Sequence, residues 1–223
     1  MNKHSGEASF KVDFFTKYAV VVAFLGLGVF VMLIFIAMML YPSSWNAENS
    51  AFSDYGSILT GNYAAGFFEA GLAIGAYSWM PIIIVYLKGI VRDFRQAKQT
   101  WGLLGFMIQF MGRVFAILVV AFPTKPWGRI HDNISIIWLG CEIISLIFIA
   151  IEMLRGKKDR LWGLIPFILI AVGVIFWLPY LLDVWKGIAI PEIASVALVF
   201  SYSIALWIRA WRGNVAIGIA RTV

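Results

Sequence analysis

The run from Tyr18 to Tyr41 is 24 residues long and carries no charge. Its length decides what it can be. A hydrocarbon layer about 30 Å thick takes roughly 20 apolar residues in an α-helix, and this run fills it with some to spare. Five more apolar stretches follow, at about 62–87, 101–122, 132–154, 161–182 and 192–210. The last is the shortest, uncharged only from Ile193 to Ile208. In lipid the backbone polar groups must be satisfied internally, which leaves helices or a closed barrel. Barrel strands would alternate apolar and polar residues over about ten positions, and the sequence contains no such segments. The expected fold is all-α: a polytopic membrane protein with six transmembrane helices in one antiparallel bundle over residues 18–211, flanked by tails 1–17 and 212–223.

Composition points the same way. The chain is 61% hydrophobic and 13% charged, whereas soluble domains are about a quarter charged. A soluble chain must still cover its surface with polar groups, and this one has too few. Lysines precede the first apolar run as in a signal peptide. That run is too long for a signal-peptide core and ends in no small-residue cleavage pattern, so it is read as a retained span.

Lysine and arginine set the orientation. Of the 18, 14 lie in the N-terminal tail, the second and fourth connections and the C-terminus. Lys125, Arg129 and Lys186 lie on the opposite side, and Arg113 lies within a span. The positive-inside rule then puts both termini in the cytoplasm. Loop 42–61, the stretch 121–132 and loop 183–191 face outward. The net charge of +6 is explained by this clustering, without nucleic acid as a partner. Membrane lipids are the expected partners, along with other membrane proteins or a second copy of the chain. The expected location is the plasma membrane of a prokaryote. Trp45, Trp127, Trp177 and Trp185 fall near the outer boundary, and Trp101, Trp162, Trp207 and Trp211 near the inner one, as an interfacial belt requires. Gly71 and Gly75 form a small-xxx-small pattern that permits close helix approach, expected within the monomer.

Ionisable groups inside spans are expensive and usually face the bundle interior. Glu69, Arg113 and Glu142 are such groups. Counted from the outer end of each span at 1.5 Å per residue, all three lie roughly 12–15 Å deep, which predicts that they meet. Helical spacing supports this. Gly102, Gly105, Gln109, Gly112 and Arg113 form a small and polar stripe on span three. His131, Ser135, Glu142 and Ser145 form one on span four, and Asn62, Gly66 and Glu69 one on span two. The stripes predict a polar cavity that opens outward and narrows at Glu69, Arg113 and Glu142. Two readings of that cluster stand side by side. It is a buried ion network holding three helices in register, or it binds a ligand, ion or proton.

The stretch Ala121–Asp132, AFPTKPWGRIHD, is the outer rim of the span-four stripe. It holds Lys125, Arg129, Asp132 and His131, the one histidine outside the N-terminal tail. In loop 42–61, which contains Glu48, the SDYG sequence at 53–56 reads as a turn that would place Asp54 beside His131. An Asp–His pair would fix the imidazole tautomer. His131 is open to three roles: helix cap or head-group hydrogen bonder, ligand contact, or general acid or base. Asp132 is open to a role as the N-terminal cap of span four. One cysteine and two histidines leave no disulfide, no cysteine zinc site and no bis-histidine haem. No metal or cofactor is expected. Catalytic motifs such as GxSxG, HExxH or a phosphate loop are absent, and nothing selects Ser53, Ser57 or Thr124 as a nucleophile.

Tyr41-Pro42 after span one, Ser53-Asp54-Tyr55-Gly56 in the first outer loop, and Phe122-Pro123 followed by His131 form a combination with a precedent. It resembles the six-span domain-of-unknown-function 998 family, and more distantly the Frag/DRAM/Sfk group of eukaryotic membrane proteins. The resemblance covers spans one to four. SDYG departs from the usual SDLG form, and a second proline, Pro126, lies between Phe-Pro and His. The prokaryotic family has no established reaction. The eukaryotic group implies lipid handling.

Three functional readings remain at this level. The leading one is a lipid-associated or accessory membrane protein without catalysis, in which Asp54, Arg129, His131 and Asp132 contact a head group and Arg113, Gln109, Glu69 and Glu142 line the pocket. The second is a membrane-embedded lipid hydrolase or transferase using His131 with Asp54 or Asp132. The third is a small ion- or proton-coupled carrier using Glu69, Arg113 and Glu142.

Overall fold

The computed structural model describes residues 14–41, 46, 50–56, 63–97, 99–156 and 159–212, without the side chains of 92–97, 124 and 125. Trp45, Glu48, Ser57, Asn62 and most of both tails lie outside the described residues. Six long helices make up almost everything else: α1 (Phe14–Leu40), α2 (Tyr63–Ala97), α3 (Thr100–Ala121), α4 (Thr124–Arg155), α5 (Arg160–Leu181) and α6 (Ala189–Trp211). Each has a stretch long and apolar enough to cross a membrane. A 3-10 turn covers Phe52–Gly56, and the described residues contain no strand.

Two boundaries differ from those expected. α2 continues to Ala97 instead of ending near 87, and α4 begins at Thr124 instead of 132. Charge marks where an apolar run ends, but a helix keeps its internal hydrogen bonds beyond the hydrocarbon. The basic segment after Leu87 therefore stays helical, and Lys88 Nζ lies 4.3 Å from the centre of the Phe15 ring at the start of α1. At α4, Pro123 is the extended N-cap residue. Pro126 falls in the first turn, where a missing N–H costs nothing. The stretch 121–132 is thus mostly helix, and Asp132 is inside α4 instead of capping it.

Neighbours in sequence pack as neighbours in space, and α6 returns to α1 to close the ring. An even number of antiparallel helices brings the start of α1 and the end of α6 to the same end of the described bundle. Close approach depends on residues without side chains. A Cβ on Gly71 or Gly75 would come within 3.3 Å of Leu33 or Phe30, so the small-xxx-small pattern serves α1–α2 packing within the chain. On α3, Gly102, Gly105, Gln109, Gly112 and Arg113 are all buried. The predicted stripe is the face that α3 turns toward α4.

The centre is aromatic. Trp79 and Trp207 are each 1% exposed and meet edge-on at 5.1 Å. Phe200 meets Trp79 at 4.3 Å. Tyr86 stacks on Phe106 at 4.7 Å and donates its hydroxyl to the Leu206 carbonyl at 2.6 Å. Trp207 therefore belongs to the core and not to the inner belt, because α6 turns it inward against Trp79. Trp101, Trp127 and Trp211 remain exposed, as belt residues should be.

Both ends of the bundle are stitched. On the side of the α2–α3 turn, Glu152 of α4 is buried and accepts the Trp101 and Gly102 N–H groups at 3.1 and 3.2 Å. Those donors at the α3 N-terminus have no partner within their own helix. Arg209 of α6 pairs with Asp159 at 2.7 Å. On the opposite side, Phe52 N–H donates to Glu192 Oε2 at 2.7 Å and Ala189 N–H to the Ser50 carbonyl at 3.0 Å. Tyr55 is buried among Tyr41, Phe52 and Phe68, and this burial raises its phenol pKa above the ordinary value.

A Cβ on Gly105 would lie 2.7 Å from Ile149 Cγ1 and 3.0 Å from the Ser145 carbonyl oxygen. Gly105→Ala should therefore cost about 1–3 kcal/mol of stability, as overpacking does. Gly140 has nothing within 4 Å of an added Cβ, and Gly140→Ala should be neutral or stabilising by up to about 1 kcal/mol. Unfolding curves in mild detergent test the contrast, and equal losses in the two variants would contradict this α3–α4 packing.

Candidate functional site

Gly102 faces Glu152, Gly105 faces Ile149, Gly112 faces Glu142, and Phe122 meets His131. The antiparallel register of α3 and α4 thus holds from end to end. It brings Arg113 Nη2 to 2.7 Å from Glu142 Oε2, with Arg113 3% and Glu142 1% exposed. The guanidinium carbon lies 3.8 Å from the centre of the Trp79 ring. Gly112 makes room for the carboxylate, since a Cβ there would lie 3.1 Å from Glu142 Oε1. Gln109 and Trp138 flank the carboxylate, and Ser145 Oγ donates to the Glu142 carbonyl at 2.7 Å. The pair is thus enclosed by protein on every side that these contacts define. A desolvated cation over an indole face is a favourable arrangement, and it covers the flank of Arg113 that a second carboxylate would need.

Glu69 does not join them. On α2 and α3, Tyr86 stacks on Phe106 and Trp79 on Arg113, so the residue level with Arg113 is Trp79. Glu69 is ten residues nearer the outer end of α2, about 15 Å away along the axis. Spans aligned at their outer ends give the wrong depth for Glu69. Their register is set instead by the short turn between Ala97 and Thr100, shorter than the connection expected after residue 87. Glu69 is half-buried at the rim, and its covered Oε1 meets no donor among the described residues.

The outer residues are also apart in their bonding. Asp54 Oδ2 accepts Ala51 N–H at 2.8 Å, closing its own turn. His131 is 5% exposed, and its Nδ1 lies 2.8 Å from the Phe122 carbonyl oxygen. That carbonyl is among the last of α3, where acceptors lack intrahelical partners. The expected Asp54–His131 pair is absent among the described residues. Asp132 and Arg129 are exposed on α4. Asp54 and Asp132 are near enough to Glu192 to act on it electrostatically, but the described residues contain no cluster able to hold a metal.

Trp79, Glu152 and Glu192 were not singled out from the sequence. Trp79 is one aromatic among many. Glu152 reads as an inner-boundary residue, and only the 3.6-residue spacing from Glu142 and Ser145 places it on the face toward α3.

The described bundle also encloses a cavity of about 130 Å³ between α4, α5 and α6. Its wall is apolar apart from Glu142, Ser195 and Trp177. Trp177 Nε1–H donates to Ser195 Oγ at 3.0 Å across the α5–α6 seam. Glu142 gives the cavity little accessible polarity, because Oε2 holds Arg113 and Oε1, which meets no hydrogen-bond partner among the described residues, is buried from solvent. Ile143 and Val174 line the cavity and are 44% and 53% exposed, so it opens sideways on the lipid-facing surface. The polar cavity expected from the stripes is therefore replaced by a closed ion pair with an apolar cavity beside it. Opposite charges and small residues let α3 and α4 close up, which removes the space between them.

These features define a polytopic six-helix membrane protein with a neutralised charge pair in its core. The chain belongs to the family described as Protein of unknown function (DUF998), whose model matches residues 24–209. The match extends the resemblance from the first four spans to all six helices. No curated protein and no solved structure matches the chain.

Removing one partner of a buried pair typically costs about 3–5 kcal/mol, because the other charge is left uncompensated. Arg113→Leu and Glu142→Leu should each show a loss of that order. The double variant should recover most of it, as in a coupled pair. A double-mutant cycle of unfolding free energies measures this, and additive losses would contradict the pairing.

Proposed function

We propose that this protein is a lipid-associated membrane protein without catalysis of its own, acting alone or as an accessory subunit. The observation that carries this reading is the apolar cavity open at Ile143 and Val174 on the lipid-facing surface. Ligand sites are mostly concave and apolar, and hydrocarbon is the abundant material at that opening. Arg129, exposed on the outer turns of α4, is suited to a head-group phosphate, since charge-assisted hydrogen bonds are the strong ones.

The catalytic reading is weaker. His131 is bonded to a backbone carbonyl and Asp54 to its own turn, which gives both a local structural task. The carrier reading loses the third member of its coupling site, because Glu69 stands apart from Arg113 and Glu142. In the proposed arrangement both termini are cytoplasmic in a prokaryotic plasma membrane, and the head of α4 faces outward.

Native mass spectrometry of protein purified in mild detergent tests the lipid association. At least one bound lipid should survive washing that strips annular lipid, and a lipid-free spectrum would overturn the reading. His131→Ala should lower stability by about 1 kcal/mol, as loss of a helix-terminal hydrogen bond does, and leave lipid retention intact. For orientation, in a Cys141→Ala background, Lys125→Cys should react with an impermeant thiol reagent in intact cells and Lys157→Cys should not. The reverse pattern would invert the assignment.

A further inference from the structure

We infer that the cavity between α4, α5 and α6 holds one hydrocarbon chain of a bilayer lipid, which enters between α4 and α5, and that Gly173 determines how much chain fits. This rests on the lipid-associated reading and assigns it a place.

Size and chemistry select the occupant. An apolar cavity of roughly 150 Å³ stays dry and accepts benzene, so one of about 130 Å³ takes a short section of hydrocarbon and excludes a head group. A charged head would have to be desolvated there, and Glu142 offers it no accessible oxygen. The polar atoms of Trp177 and Ser195 satisfy each other. What is left for a ligand to touch is aliphatic apart from the Trp177 ring.

Access is lateral. Ile143 and Val174 line the cavity and are also exposed, so the mouth opens on the same surface as the rest of the lipid-facing side chains. The flanking helix is suited to admit a chain. α5 buries only Gly163 and Pro166, both near its first turns, where a Cβ on Gly163 would come within 2.9 Å of the Ala150 carbonyl and Leu154. Farther along, the Trp177–Ser195 bond joins α5 to α6 at the cavity wall. α5 is therefore seated on α4 at one end and bonded to α6 through Trp177 and Ser195 at the other, with the cavity between.

Gly173 faces Leu198 across this space. An added Cβ would lie 3.5 Å from Leu198 Cδ1, an ordinary contact. Alanine fits at 173, whereas leucine projects into the volume that the chain would occupy.

The experiment uses the full chain in phosphatidylcholine vesicles doped with the same lipid bearing a diazirine midway along one acyl chain. Adducts are mapped by peptide mass spectrometry. Labelling should concentrate on Ile143, Val174 and Leu198, relative to Ile168, which is 60% exposed and does not line the cavity. Gly173→Leu should reduce cavity labelling at least fivefold, leave Ile168 labelling unchanged, and melt near the unaltered protein; Gly173→Ala should label as the unaltered protein does. Ile170→Phe fills the same space from another position and repeats the test if Gly173→Leu does not fold. Equal labelling of lining and non-lining positions, or cavity labelling unaffected by either filling variant, would overturn the inference. If lipid is retained in native spectra but labels elsewhere, this inference fails and the lipid-associated reading stands; if no lipid is retained, that reading fails as well.

Discussion

The contact on which the rest of the bundle depends is the closure of α3 on α4 around Arg113 and Glu142. Neither charge is tolerable alone at that depth. Desolvation penalises each, and their mutual attraction offsets the penalty only at close range. The 2.7 Å contact requires the two backbones to approach, and Gly105 and Gly112 permit it. The pair thus selects one register among those that an apolar helix pair would accept. Two greasy helices in lipid gain little from one sliding position over another; a charge pair with a fixed address does discriminate. The same register delivers Glu152 to the N–H groups at one end of α3 and His131 to the carbonyl at the other.

From that hairpin the order of the structure decreases outward. α2 is tied to α3 by the Trp79–Arg113 and Tyr86–Phe106 stacks, and α1 to α2 by the glycine faces. α6 reaches the core through Trp207, Tyr202 and Arg209. α5 has no comparable anchor: it buries only Gly163 and Pro166, while Trp162, Ile165, Leu169 and Ile170 pack against the core only partly buried. Local stability follows buried contacts, so α5 is the element whose displacement disturbs least. The cavity lies beside this helix at Gly173, which projects no side chain into the space. Gly173 is opposite Leu198, and Val174 points partly into lipid.

Much of this was legible from the sequence, and the parts that were not share a cause. The six helices follow from length and apolarity alone, and the buried faces of α3 and α4 follow from glycine, serine and charge at helical spacing. The Arg113–Glu142 pair was recoverable because both depths were counted from the same outer turn. Glu69 was misplaced because its depth had to be compared across the inner turn, and that turn was hidden inside a basic segment that reads as loop. Apolarity records the position of the membrane and leaves the end of the helix unrecorded. The roles of His131 and Asp54 were not legible because a side-chain bond to a nearby backbone group has no signature in composition. The cavity was invisible for a further reason: it is a property of what three helices fail to fill.

Polar residues and open space are therefore separated in this fold, although the sequence suggests that they coincide. A stripe of serine, glutamate and histidine on one helix and of glycine, glutamine and arginine on the next looks like the lining of a polar pore. Such stripes line a pore only if something keeps them apart. Here opposite charge and absent side chains draw them together, and the space appears on the opposite flank of α4, where aliphatic side chains of α4 and α5 meet without interlocking. Glu142 belongs to both surfaces. Its carboxylate is spent on Arg113, and what it shows the cavity is the back of a neutral pair. A carboxylate in the wall of a membrane cavity is ordinarily grounds for expecting a cation or a proton. With its charge compensated and its oxygens covered, this one leaves the cavity apolar, and hydrocarbon is the occupant that such a wall can accept without loss.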